Sequence, residues 1–259
     1  MKPFYILSTG RCGTTFVSKM IRLNDQSIGE IHQLLDSKWM NVRANIALSS
    51  KGARNRYTAS LSHKFDYVLP PSSTDPLRSV AYTFYLKDLL KKQQDLQDNT
   101  IIIHLVRDPR DFVSSFMNWK NRKFSGKIAH HLTPFWMPEP GVIKRWSMSK
   151  FEHFCWIWEK KNRLFYEEFA WFPGYYLFRM EDLRAGSEQL QILLSLVLGK
   201  DDVVTQLEDE DYNSTISKYF PYWNLWSPKQ AGKLDTICSG MMQEFGYGGE
   251  MAWKKILGH

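Results

Sequence analysis

Short runs of consecutive apolar residues recur along the chain, between longer segments in which apolar residues lie three or four positions apart. Such runs are typical of buried strands, and the helical spacing between them is typical of amphipathic helices. Strands are predicted near residues 3–7, 28–32, 65–69, 100–106 and 175–179. Strands that alternate with helices form parallel sheets. The pattern therefore predicts one α/β domain over residues 1–259, with a central parallel β-sheet flanked by helices.

The same pattern predicts where individual helices lie. Apolar side chains at helical spacing from Phe151 to Phe165 predict a core-facing helix, and Gly199 is predicted to end a later one. The pairs Asp75–Pro76 and Ser227–Pro228 each place a capping side chain before a proline, a combination typical of a helix start. The polar, basic segment 51–62 is predicted to be a loop.

A glycine-containing turn follows the first predicted strand. Residues Ser8–Gly13 contain two glycines, and from Thr14 onward the apolar spacing becomes helical. A strand, a tight turn and a helix start can form a phosphate cradle, because backbone N–H groups and the helix dipole favour an anion there. Arg11 adds a full positive charge. The Walker A pattern is absent, and a plain strand-to-helix connection remains the alternative.

A second candidate phosphate site follows the predicted strand at 100–106. Arg107 stands at the end of this strand, and Ser115 lies eight residues later, about one turn into the next predicted helix. Ligands of open α/β sheets bind beyond the carboxyl ends of the strands, so Arg107 and Ser115 can converge on a second phosphate. The alternative is that Arg107 pairs with Asp108 or Asp111 near a helix start.

Two such sites at this spacing resemble the sulfotransferases that use 3′-phosphoadenosine-5′-phosphosulfate (PAPS). Residues Tyr176–Leu183 are similar to a strand of that family, and Trp226–Tyr247 to its terminal helix; many members carry Lys where Arg11 stands here. The resemblance implies the P-loop-type sulfotransferase architecture, with a P-loop-like phosphate-binding loop. It implies that the first loop binds the 5′-phosphosulfate and that Arg107 and Ser115 bind the 3′-phosphate. The implied nucleotide-binding residues are Arg11, Cys12, Gly13, Thr14, Thr15, Phe16, Arg107 and Ser115.

The activity that the resemblance implies is sulfuryl transfer from PAPS to a hydroxyl, or less often an amine. Arg11 is the implied catalytic residue that stabilises charge on the leaving phosphate. If residues 28–32 are extended, Glu30 and His32 share a face, and the resemblance favours them as general base and partner. The alternative is an exposed Glu and a His with ordinary hydrogen bonds. His63 is a rival base. Phe16 is placed either against adenine or in the core.

Composition limits the classes of ligand and partner that the chain is expected to bind. A net charge of +7 suits an anionic ligand or acceptor, and no basic stripe or motif indicates nucleic acid. No apolar run reaches membrane-spanning length and the first strand begins at once, so neither stable membrane insertion nor a signal peptide is expected. The three cysteines are far apart, which favours a reducing, cytoplasmic location, and no Cys/His spacing predicts a metal. The acceptor, whether small molecule, glycan or lipid, and the oligomeric state stay open.

Three interpretations remain on sequence alone. The first is the sulfotransferase, the second a non-catalytic nucleotide-binding module, and the third a nucleotide kinase or NTPase on a similar sheet, against which the missing Walker A residues argue. Two further predictions concern the site. The thiol of Cys12, beside Arg11 at a helix start, is predicted to have a lowered pKa. The irregular segment between Trp119 and Met148 is predicted to be an acceptor wall or lid.

Overall fold

A computed structural model describes residues 2–29, 31–32, 36–48, 50–121, 148–183, 185–206 and 219–258. Its described part is an α/β structure with a three-stranded parallel sheet in the order β1-β2-β3. The strands are β1 (Phe4–Leu7), β2 (Ile101–Val106) and β3 (Tyr175–Arg179). In the register, Leu7 lies opposite His104, and Val106 lies opposite Arg179. All three carboxyl ends therefore meet at one edge of the sheet.

Nine α-helices accompany the sheet within the described ranges. They are α1 (Thr14–Asn24), α2 (Ser37–Ala47), α3 (Lys51–Lys64), α4 (Ser79–Lys92), α5 (Pro109–Asn121), α6 (Lys150–Phe169), α7 (Glu188–Leu198), α8 (Pro228–Glu244) and α9 (Met251–Leu257). Among these helices, none is long and apolar enough to cross a membrane.

The central strand β2 is buried between helices on both faces of the sheet. Every residue of β2 is buried, as expected for a parallel strand covered on both faces. Side chains of β1 alternate between two core clusters: Phe4 and Ile6 contribute to one, and Tyr5 and Leu7 to the other. The sheet is therefore sandwiched between helices, and its carboxyl edge is left for the loops that follow β1 and β2.

Buried His104 on β2 is held by a polar network inside this core. Its Nδ1 lies 2.8 Å from the hydroxyl of Tyr175 and its Nε2 lies 2.9 Å from Oδ1 of Asn162. Because the amide oxygen of Asn162 only accepts, Nε2 carries the proton and Nδ1 accepts from Tyr175. Burial lowers the pKa of His104 to about 4, and the bond to Asn162 opposes part of this shift.

One predicted core-facing helix, one predicted helix start and one predicted helix end are confirmed. Ser149 and Glu152 form a capping box at the start of α6, whose buried face contains Phe151, Trp158 and Phe165. Ser227 caps α8 with Pro228 as its first residue. Gly199 follows α7 in the left-handed conformation, with φ at 68°.

Two predicted strands were wrong. The described residues of 28–32 are in turn or irregular backbone, and residues 65–69 form a turn after α3. Asp66 and Tyr67 both have positive φ, at 51° and 58°, which is incompatible with an extended strand. The run Phe65–Leu69 therefore forms a turn at the end of α3 rather than joining the sheet.

The prediction of a loop over 51–62 was also wrong, because these residues belong to α3. Tyr57 and Leu61, four residues apart, are buried, whereas the basic residues that dominate the composition lie on the exposed or half-exposed faces. The helix predicted at Pro76 begins only at Ser79. Asp75 still caps, since its Oδ1 accepts from the backbone N–H of Leu77 at 2.9 Å, but it closes a turn that precedes α4.

Candidate functional site

The loop from Ser8 to Gly13 joins β1 to α1 through three left-handed residues. Gly10, Arg11 and Gly13 have φ of 84°, 58° and 73°. Two serine hydroxyls hold the loop: the N–H of Ser8 donates to Oγ of Ser79, the first residue of α4, at 3.0 Å, and the N–H of Gly10 donates to Oγ of Ser8 at 3.2 Å. Arg11 is the non-glycine residue in this strained region, so its side-chain direction is fixed by an unusual backbone.

Gly13 is required both by its backbone and by its neighbour. A Cβ at this position would lie 2.1 Å from Sδ of Met180, which immediately follows β3. The thioether of Met180 therefore packs directly against the start of α1. Gly13 offers α1 no side-chain cap, so the first-turn N–H groups, including those of Thr14 and Thr15, are not satisfied from that position.

The residues predicted to bind two phosphates are in contact. Nε of Arg11 donates to Oγ of Ser115 at 3.0 Å, and Nη1 of Arg107 donates to the backbone carbonyl of Arg11 at 2.9 Å. The two guanidinium groups thus belong to adjacent loops at the ends of β1 and β2. The alternative for Arg107 was a simple pair with Asp108 or Asp111; within the described residues, Arg107 donates its hydrogen bond to the carbonyl of Arg11 instead. Its charge does act on Asp111, whose pKa is raised, mainly by burial, with Arg107 opposing the rise.

A carboxylate that follows the third strand holds the loop after β2. Oε1 of Glu181 accepts from the backbone N–H of Asp108 at 2.9 Å, and Oε2 accepts from the hydroxyl of Tyr247 at 2.8 Å. On the other side, Nε1 of Trp158 donates to the carbonyl of Arg107 at 2.8 Å. The backbone on both sides of Arg107 is therefore held by side chains from distant parts of the chain.

Arg110 forms a second support that the sequence analysis missed. This residue is 1% exposed. Its Nε donates to Oδ1 of Asp108 at 2.8 Å, and its Nη2 donates to Oε1 of Glu250 at 2.7 Å. Its guanidinium also lies over the rings of Trp223 and Trp253, with centroid distances of 4.4 and 5.2 Å. This group is called the Arg110 clamp below; it joins the first turn of α5 to the C-terminal helices.

His32 is brought to the loop although it is not on a strand. Nε2 of His32 lies 3.2 Å from the hydroxyl of Thr15, and Nδ1 lies 3.2 Å from the carbonyl of Thr74. Nδ1 lies equally close, at 3.2 Å, to the hydroxyl of Thr74. The Nε2 side of the His32 ring therefore faces the start of α1.

The other candidate bases are placed differently. Glu30 lies outside the described residues, so its predicted role stays a prediction. His63 is exposed in the last turn of α3, where its ring contacts Tyr67 with centroids 5.9 Å apart. Residues 122–147 of the predicted acceptor wall also lie outside the described residues.

The predicted low pKa of Cys12 was wrong. The thiol is fully buried and donates to the carbonyl of Gly10 at 3.2 Å. Burial raises the pKa of Cys12 to about 11, and the bond to Thr9 and the charge of Arg107 only partly oppose this. The side chain thus lies on the core side of the loop, away from the helix-start amides that lower thiol pKa values. Phe16 is half-buried and packs against the core.

Lys161 is another residue near this loop that the sequence analysis missed. It lies on α6, one turn after Trp158, and is 4% exposed. Burial lowers its pKa to about 8, with the Cys12 thiol acting in the opposite direction. The available signal was a lysine at a core-facing position of the Phe151–Phe165 pattern. Within the described ranges, no cluster of three or more His, Cys, Asp or Glu residues could hold a metal ion.

Comparison with known proteins gives no relative. No protein-family model matches the sequence, and no curated protein and no solved structure was found to match the chain.

Proposed function

We propose that this protein is a PAPS-dependent sulfotransferase that transfers a sulfuryl group to a hydroxyl, or less often an amine, of a small-molecule, glycan or lipid acceptor. The proposal depends on the contact of Arg11, Arg107 and Ser115 at the carboxyl edge of two adjacent parallel strands. Two guanidinium groups and a hydroxyl at one edge suit a ligand that carries two separate anionic groups, as PAPS does.

The first loop supports the same ligand. Its three left-handed residues lead directly into the start of α1, and the backbone N–H groups at a helix start favour an anion. We assign the 5′-phosphosulfate to this P-loop-like loop, with Arg11 and the amides of Gly13, Thr14 and Thr15, and the 3′-phosphate to Arg107 and Ser115. Cys12 contributes its backbone to the loop, while Phe16 belongs to the core or to the adenine side.

Sulfuryl transfer needs one proton acceptor and stabilisation of one leaving group. The acceptor oxygen forms a bond to sulfur as its proton passes to the base. The bond between sulfur and the phosphate oxygen breaks, and its electron pair leaves with 3′,5′-diphosphoadenosine (PAP). Arg11 and the loop amides stabilise the charge that develops on that phosphate, the effect expected of preorganised donors. Glu30 is proposed as the base, with His32 as its partner beside Thr15.

Calorimetry on the wild-type chain tests the nucleotide assignment. We expect PAP to bind more tightly than adenosine 5′-phosphosulfate or AMP, because only PAP offers the 3′-phosphate to Arg107 and Ser115. ATP with Mg²⁺ is the comparison for a kinase or NTPase. Tighter binding of ATP–Mg²⁺ than of PAP contradicts the sulfotransferase assignment.

Turnover separates an enzyme from a nucleotide-binding module. The measurement is transfer of ³⁵S from labelled PAPS to a library of sugars, lipids and phenols, separated from PAP and free sulfate. Labelled product that requires both the protein and an acceptor supports the proposal. Tight PAP binding without product from any acceptor class favours the non-catalytic module.

A further inference from the structure

Lys161 is a buried cation in an unusual position. It is 4% exposed, and no hydrogen bond or ion pair joins its ammonium to another residue in the described part of the chain; the nitrogen itself is not completely enclosed. A buried ammonium without a counter-charge is costly, because desolvation is not repaid by an ion pair. An apolar residue of similar length, such as Met, would fill the same core position without this cost.

The surroundings of Lys161 connect it to the proposed nucleotide site. Trp158, one turn earlier on the buried face of α6, donates to the carbonyl of Arg107. The titratable group that acts on the charge of Lys161 is the Cys12 thiol, which lies beneath the loop and donates to the carbonyl of Gly10. Lys161 therefore lies on the core side of the loop whose outer side we assign to the phosphosulfate.

We propose that Lys161 is a positioning residue of this loop, whose buried positive charge is compensated by a dianionic phosphate or phosphosulfate bound at Gly10–Thr15. The inference rests on the proposed nucleotide site and adds a proton-linked step to it. In the free protein, burial disfavours the charged form of Lys161, whereas a bound dianion favours it. Binding of the nucleotide then raises the proton affinity of Lys161, and protonation of Lys161 raises the affinity for the nucleotide by the same factor.

The pH range in which this linkage is visible follows from the surrounding groups. Burial holds the pKa of Lys161 near 8, whereas the pKa of Cys12 is raised to about 11 and that of His104, beside Asn162, is lowered to about 4. The pKa of Tyr247 is raised by burial and by Glu181. Of these groups, Lys161 is the one that changes charge between pH 7 and 9.

The experiment is calorimetry of PAP binding at pH 8 in two buffers of different ionisation enthalpy, which gives the number of protons taken up. The wild type is expected to take up a fraction of a proton and to lose affinity between pH 7 and pH 9. Lys161→Met is expected to bind PAP roughly 5- to 150-fold more weakly at pH 7, with no proton uptake. Lys161→Arg is expected to retain affinity and to lose the pH dependence, because arginine stays charged.

The exposed neighbour Lys160 provides the matched control, and Lys160→Met is expected to leave both affinity and proton uptake unchanged. Wild-type binding of PAP without proton uptake at pH 8 overturns the inference even if Lys161→Met fails to fold. Equal affinity and equal uptake in Lys161→Met and wild type also overturns it, while leaving the sulfotransferase proposal intact. A wild type that binds no PAP at any pH defeats the proposed function and this role together.

Discussion

Nε of Arg11 donates a hydrogen bond to Oγ of Ser115, at 3.0 Å and across 104 residues of sequence. The contact links the loop after β1 to the first turns of α5, and Arg107 ties the same loop by its bond to the carbonyl of Arg11. A ligand group that binds one of these side chains therefore lies within reach of the others. The variants below separate their roles.

Arg107→Ala is expected to weaken PAP binding by about 1.5–3 kcal/mol, the value typical of a lost hydrogen bond to a charged group. Binding of adenosine 5′-phosphosulfate, which lacks the 3′-phosphate, should change much less. Calorimetry with both nucleotides measures the difference, with exposed Lys254→Ala on α9 as the control. Equal losses for the two nucleotides remove Arg107 from the 3′-phosphate and leave it only as a support of the Arg11 carbonyl.

Gly13→Ala is expected to lower the free energy of unfolding by about 1–3 kcal/mol, because the new Cβ occupies a left-handed position and overlaps Met180. Chemical denaturation measures this loss. Adding Met180→Ala should remove the overlap but not the backbone strain, so the two changes should be non-additive.

Gly232 offers a control for this glycine. It lies in the interior of α8, where an added Cβ would meet no atom within 4 Å, and its φ is not in the left-handed region. Gly232→Ala is expected to raise stability by about 0.5–1 kcal/mol. A neutral Gly13→Ala beside a stabilising Gly232→Ala contradicts the contact with Met180.

His104 is expected to make the fold sensitive to acid. Its pKa is about 4 in the folded chain, below its ordinary value of 6.5, so the unfolded chain binds the proton first as pH falls. The stabilisation is complete above pH 6.5 and is lost between pH 6.5 and 4, with about 2 kcal/mol gone at pH 5. Urea denaturation at a series of pH values should show that the free energy of unfolding falls less steeply between pH 6.5 and 4 in His104→Gln than in wild type. Parallel pH profiles contradict the assignment.

The base candidates are compared by single-turnover transfer once an acceptor is found. Glu30→Gln keeps size and hydrogen bonding but cannot take the proton, so it is expected to slow transfer by ~10²–10⁴-fold with nucleotide affinity unchanged. His32→Asn should slow it less, and His63→Asn, on an exposed helix end, least. A normal Glu30→Gln with an inactive His32→Asn assigns the base to the nitrogen beside Thr15.

Native Cys12 is expected to resist alkylation. Since its pKa is about 11 rather than the ordinary 9, roughly a hundredfold less thiolate is present at neutral pH than in an ordinary thiol, and burial limits access further. Iodoacetamide labelling followed by peptide mass analysis should modify Cys12 only after unfolding. Its contribution to stability should be intact below pH 9 and decline as pH rises from 9 to about 11. Rapid labelling of the native chain contradicts the buried position.

The sequence predicted the parts of the site that depend on strand ends. Arg11 and Arg107 follow adjacent buried parallel strands, a relation that can be seen from the apolar runs alone, whereas the hydrogen bond of Arg11 to Ser115 on α5 was not predicted. The local pattern was misleading at Phe65–Leu69, which forms a turn after α3, since the positive φ of Asp66 is incompatible with an extended strand. In α3, basic composition hid the spacing of Tyr57 and Leu61.

The supports of the site could not be predicted because they depend on tertiary contacts. Glu181 reaches the amide of Asp108 from 73 residues away, and Glu250 reaches Arg110 from 140 residues away. No local periodicity relates such pairs. The pKa of Cys12 could not be predicted for the same reason. Its neighbours in sequence favour a reactive thiol, but the fold decides the direction of its side chain, and that direction sets its pKa.

The Arg110 clamp has a consequence for the order in which the chain matures on the ribosome. The strands and loops that carry Arg11 and Arg107 are synthesised well before Trp223, Glu250 and Trp253. Until those residues emerge, Arg110 has only Asp108 among its clamp partners, and Glu181 lacks the hydroxyl of Tyr247. The contacts that hold this edge of the sheet are therefore completed only once α9 has been synthesised, and a nascent chain stalled before α9 should hold the loops of Arg11 and Arg107 in place less firmly than the released protein.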